Sequence, residues 1–129
     1  DLVGVVGVGV TAAAGKLNAG PGVSGTLWVT RPGQKGSDHI DAETGELLSQ
    51  ITFPAPRSHG LYWDDDGTLC VAETNNGHVF RIDPSSGAVL GEWQITAADG
   101  IEVHGMTRSA DGRVWIGDAA TNLISVVEP

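Results

Sequence analysis

The sequence predicts an all-β fold assembled from repeated units of four antiparallel strands. Three observations carry this prediction. The chain repeats itself with a period of 42 to 45 residues. Short runs of β-forming residues alternate with Asp-Gly, Asn-Asn-Gly, Ser-Ser-Gly and Thr-Gly, which are hairpin turns. Glycine is abundant, at 19 of 129 residues, and no segment of helical length keeps a 3.6-residue apolar period. A four-stranded unit of this length is a β-propeller blade.

The repeat is read by setting Gly25–Pro54 above Gly67–Thr96. Leu27/Leu69, Val29/Val71, Ile40/Ile82, Asp41/Asp83 and Gly45/Gly87 coincide without a gap. A third copy follows 45 residues later, where His59-Gly60 matches His104-Gly105 and Asp66-Gly67 matches Asp111-Gly112. The chain is one partial propeller domain, 1–129. Residues 17–56 form the first blade, 57–99 the second, and 100–129 a third that lacks its outer strand. In the first copy the inner strand is expected near Leu17–Gly25. In the second copy the strands are expected at about Gly60–Trp63, Thr68–Glu73, His78–Ile82 and Ala88–Ile95. Residues 1–16 contain Val3–Val10, a spare strand that suits the missing outer strand of a third blade in a partner chain.

Three blades leave open faces and unpaired edges. Self-association follows as an expectation: a homodimer closing a six-bladed ring. A fragment of a longer propeller and a strand-exchanged polymer stay open beside it.

Composition narrows the partners. The net charge of −9 repels phosphate backbones and anionic lipid, so neither nucleic acid nor a membrane surface is expected. The apolar stretch Leu2–Ala14 is shorter than the roughly 20 residues that span a bilayer, and no basic residue precedes it. No intact signal peptide or transmembrane helix is therefore expected, and localisation stays open. The single cysteine, Cys70, excludes an internal disulfide and reads as a buried small residue. Trp28, Trp63, Trp93 and Trp115 read as packing between blades.

The candidate chemistry sits where inner strands begin. Counting out from the turn Asp65-Asp66-Gly67, His59 falls opposite Glu73; from Ala110-Asp111-Gly112, His104 falls opposite Asp118. Glu102 and His104 are two apart and share a side of an extended segment. Arg57 stands in the second copy where Glu102 stands in the third. A histidine flanked by carboxylates is a candidate general base, and converging carboxylates suit Mg²⁺ or, alternatively, Ca²⁺. His104 and His59 are thus the catalytic candidates; Glu102, Asp118 and Glu73 are the metal candidates. Each also has a plain structural reading, as a backbone partner at a blade start or a cap at a strand end.

Ser58-His59-Gly60, Val71-Ala72-Glu73-Thr74, Arg81-Ile82-Asp83-Pro84, Glu102-Val103-His104-Gly105 and Val114-Trp115-Ile116-Gly117-Asp118 together resemble the streptogramin B (virginiamycin B) lyase family. They are more loosely similar to NHL-repeat and gluconolactonase-like propellers. The resemblance spans roughly residues 25–129. It implies a Mg²⁺-assisted C–O elimination that opens a cyclic depsipeptide, with Glu102 and Asp118 on the metal and His104 as base. Asp118 stands where the family has Glu, and the first copy has Leu17-Asn18 in place of His-Gly. Two rival functions stay open: a non-catalytic binding or assembly scaffold, and a metal-dependent lactone hydrolase. A small cyclic peptide or lactone is the expected ligand of either enzyme.

Overall fold

The structure, a computed structural model, describes residues 10–12, 25–95 and 101–128. Among these there are eleven strands and no helix. Among the described residues no helix is long and apolar enough to cross a membrane. The first sheet contains β1 (Val10–Ala12), β2 (Thr26–Arg31), β3 (Gly36–Asp41) and β4 (Leu47–Thr52). The second contains β5 (Ser58–Trp63), β6 (Leu69–Glu73), β7 (His78–Ile82) and β8 (Val89–Gln94). The third contains β9 (Val103–Arg108), β10 (Val114–Asp118) and β11 (Leu123–Val127). Every pairing is antiparallel and joins strands that are consecutive in the chain.

Local chemistry explains the boundaries. The turns between third and fourth strands are built alike in the first two sheets. Asp41 Oδ1 accepts from the Glu43 and Thr44 amides at 2.9 and 2.8 Å, and Asp83 Oδ1 accepts from the Ser85 amide at 2.8 Å. These side chains imitate a backbone turn. Gly45 and Gly87 close the two turns at φ of 75° and 78°, a left-handed conformation that glycine adopts without steric cost.

The inner strand of the first sheet departs from expectation. It is β1, paired Val10↔Val29, Thr11↔Trp28 and Ala12↔Leu27, not the segment 17–25. Residues 1–9 and 13–24 lie outside the described residues, and most of the proposed spare strand with them.

The core lies between sheets, not within one. Between the first and second sheets pack Trp28, Ile51, Phe53, Leu61, Leu69, Val71 and Ile82. Between the second and third pack Tyr62, Cys70, Ala72, Val79, Val103, Met106, Val114 and Ile116. The middle sheet is covered on both faces, so all five residues of β6 are buried, and burial raises the Cys70 thiol pKa. Trp28 belongs to the first layer and Trp63 and Trp93 pack against the two layers, but Trp115 is exposed.

A register correction matters for the site. Pairing runs as expected from the turn outward: Trp63↔Leu69, Tyr62↔Cys70, Leu61↔Val71. It then slips, and Glu73 pairs with Ser58, not His59. In the third sheet Gly117 pairs with Gly105 but Asp118 pairs with Val103, not His104. Both His-Gly steps carry a β-bulge, an extra residue that bends the strand and re-aims its side chain. A close approach between sheets accompanies the first bulge. A Cβ on Gly60 would lie 3.0 Å from Met106 Cβ and 3.1 Å from its amide nitrogen.

Candidate functional site

The bulges bring the two histidines together. The His59 and His104 rings stack with centroids 4.4 Å apart and planes inclined by 20°. His59 is buried, and its carbonyl accepts from Thr30 Oγ1 at 3.0 Å. His104 leaves about a third of its side chain exposed. The Val103 carbonyl beside it accepts from Thr74 Oγ1, also at 3.0 Å. These two hydroxyls tie each inner strand to the sheet before it, which fixes the stacked rings at the start of β5 and β9.

Around the rings stand one acid and one guanidinium. Glu102 Oε2 lies 3.8 Å from His104 Nε2, and Glu102 Oε1 lies 3.8 Å from Arg57 Nη1. Arg57 Nη1 also donates to Asn75 Oδ1 at 2.6 Å. The His104 Nε2 atom is buried and makes no hydrogen bond among the described residues. A histidine ring with a third of its side chain open and one nitrogen turned to a carboxylate is a candidate to take or give a proton.

Glu73 and Asp118 sit at the ends of β6 and β10 but serve the turns there. Glu73 Oε2 accepts from the Asn76 amide at 2.9 Å. Asp118 Oδ1 accepts from the Glu102 and Ala120 amides, each at 2.9 Å, and Oδ2 from the Thr121 hydroxyl at 2.6 Å. The Thr121 hydroxyl first, then the Glu102 N–H, holds the Asp118 carboxyl below the usual carboxylate range. Asp118 therefore clamps the backbone of Glu102, while the Glu102 side chain faces Arg57 and His104.

A divalent cation needs several oxygens free to converge on it. Among the described residues no three of His, Cys, Asp and Glu form such a group. With Asp118 engaged on both oxygens and Glu73 engaged in its turn, the set Glu102, Asp118 and Glu73 as placed does not fit Mg²⁺ or Ca²⁺. The structure brings together both histidines and Glu102, which the sequence had named as candidates. Sequence reasoning missed Arg57 as a neighbour of Glu102, although their equivalent places in successive copies were the available signal.

No protein-family model matches the chain, and no curated protein matches it in sequence. Solved structures do match in fold. A streptogramin B lyase structure shares 24% identity over 92% of this chain and 35% of its own, with a TM-score of 0.63. The glutaminyl cyclase of Myxococcus xanthus shares 12% over 94% of this chain and 47% of its own, at 0.72. The WD40 β-propeller domain of Doa1 shares 12% over 86% of this chain and 38% of its own, at 0.55. The chain thus spans between about a third and a half of the structures it matches. Repeated four-stranded sheets with apolar layers between them, matched on these structures, make the fold that of β-propeller blades, similar to the blades of streptogramin B lyase.

Proposed function

We propose that the mouth formed by Arg57, His59, Glu102 and His104 is an acid–base site that opens a small cyclic ester, of the depsipeptide kind, by C–O elimination. The observation that supports this best is the partly exposed His104 ring with Glu102 beside it. The likeness to streptogramin B lyase supports the same reading. In the step proposed, the His104 imidazole takes the proton from the carbon next to a carbonyl. The electron pair left on that carbon forms a double bond to its neighbour. The C–O bond on that neighbour breaks, and the oxygen leaves as a carboxylate. Negative charge develops on the carbonyl oxygen, and Arg57 is the cation at hand to offset it. Glu102 holds the imidazolium that forms, and His59 supports the ring by stacking.

The test is mass spectrometry of a cyclic depsipeptide incubated with the protein. Ring opening with no change in mass, lost in His104→Ala, is the expected result. A gain of one water would make the protein a lactone hydrolase. No turnover by wild type, with both proteins folded, would favour the scaffold reading. That second reading has its own support: His59 is buried and Gly60 packs on Met106, so the stacked rings also serve as a contact between blades.

A further inference from the structure

Successive copies of the repeat bring opposite charges to one place at the mouth. The Thr74 amide donates to the Arg57 carbonyl at 2.8 Å, and the Ala119 amide donates to the Glu102 carbonyl at 2.9 Å. Arg57 and Glu102 are therefore equivalent backbone positions, each two residues before its histidine. A second position differs together with them. Asn75, whose Oδ1 accepts from Arg57 Nη1 at 2.6 Å, has Ala120 as its counterpart 45 residues on. Alanine offers no side-chain acceptor. The guanidinium and the amide that holds it thus occur as a pair in the second sheet, and the third sheet has a carboxylate with no such holder.

That pairing aims Arg57 at the place where a divalent ion would have to sit. Arg57 Nη1 lies 3.8 Å from Glu102 Oε1, on the carboxylate that also faces His104. Asp118 and Glu73 are engaged by turn amides. An entering metal ion would meet one carboxylate already neutralised and a like charge beside it. An anionic oxygen would meet the reverse. A guanidinium carries five N–H donors in a rigid fork, and the Asn75 bond is the one side-chain hydrogen bond Arg57 makes among the described residues. With 42% of its side chain exposed, the rest of the fork is open to a ligand.

We propose that Arg57 is the resident cation of the mouth: it takes the charge role of a divalent ion, shuts that ion out, and receives a carbonyl or carboxylate oxygen of the ligand. The proposal rests on the mouth being the ligand site, as read above, and not on any turnover there. It gives the misfit of Glu102, Asp118 and Glu73 to Mg²⁺ a physical cause, since a side chain already supplies the positive charge.

Proton NMR of the histidine rings tests both halves. Mn²⁺ broadens the signals of groups near its binding site. In wild type it is expected to broaden His59 and His104 no more than His39, in the first sheet. Arg57→Glu gives both copies Glu-x-His and removes the like charge, so it is expected to broaden His59 and His104 at about tenfold lower Mn²⁺ than wild type needs. Sodium acetate at constant ionic strength is the anion probe. It is expected to shift the His104 signals in wild type and not in Arg57→Gln, which stays polar and loses the charge. Amide signal dispersion checks that each variant folds. If Arg57→Glu unfolds, Arg57→Gln carries the Mn²⁺ comparison too, with a smaller gain expected. Selective Mn²⁺ broadening of the two mouth histidines in wild type overturns the proposal. So do Arg57 variants that bind Mn²⁺ no better than wild type. An acetate response that survives Arg57→Gln, or none in wild type, overturns the anion half. Neither measurement reads turnover, so this proposal and the elimination reading can fail separately.

Discussion

The strands β6 and β10 share a position, a register and a turn, yet differ in burial. Every residue of β6 is buried, whereas β10 alternates, with Trp115 exposed between Val114 and Ile116. The backbone is not the cause, because both strands pair with their neighbours in the same pattern. The cause is cover: a sheet lies on each side of β6 and on one side only of β10. Burial in this fold is a property of the stack, and each blade borrows its core from the next.

The largest effect that would break or sharpen this comparison is a pair of truncations. Val79→Ala removes a fully buried side chain between sheets and is expected to cost about 1–3 kcal/mol. Ile124→Ala, its counterpart, removes an exposed one and is expected to change stability by under about 0.5 kcal/mol. Urea unfolding of both variants, at a concentration where the protein is monomeric, measures the difference. Equal losses would mean that the far face of the third sheet is already covered.

A smaller effect of the same kind separates the two bulge glycines. Gly60→Ala forces a methyl to 3.0 Å from Met106 Cβ and is expected to cost about 1–2 kcal/mol. Gly105→Ala meets nothing within 4 Å and is expected to be nearly neutral. Thermal melts of the monomeric protein would show whether close approach, and not the bulge itself, sets the requirement for glycine.

The smallest effect is electrostatic. Asp118 has a folded pKa below its ordinary value of 3.8, so its charged form favours the folded state. That contribution is full above the ordinary value and is lost as pH falls through the lowered one. Asp118→Asn is therefore expected to lag wild type at neutral pH and to close the gap in acid. Urea midpoints at about pH 7 and about pH 3 measure this. A gap that widens in acid would mean the carboxylate is not the hydrogen-bonded group seen here.

Much of this fold was legible in the sequence, for local reasons. Asp41 and Asp83, each followed by a glycine four residues on, mark their turns without outside help. The strands on either side of Asp65-Asp66-Gly67 follow from counting. The inner strand at Val10–Ala12 was hidden, because a Val-Gly alternation pairs equally well in many places. The slip at His59-Gly60 was hidden too, since it comes with an approach to Met106 far along the chain. At the site, the repeat placed the two histidines on one mouth. It left open which way Glu73 and Asp118 would face, because turn amides compete for carboxylates only once the turns are made.

The borrowed core also sets a clock for synthesis. Each blade leaves the ribosome about 45 residues ahead of the one that covers it. At ordinary elongation rates that is a delay of about 2–9 s. During it, Trp28 and then Cys70 await the sheet that covers them. A nascent propeller of this design is sticky on one moving front, and whatever shields that front during translation needs to follow it blade by blade.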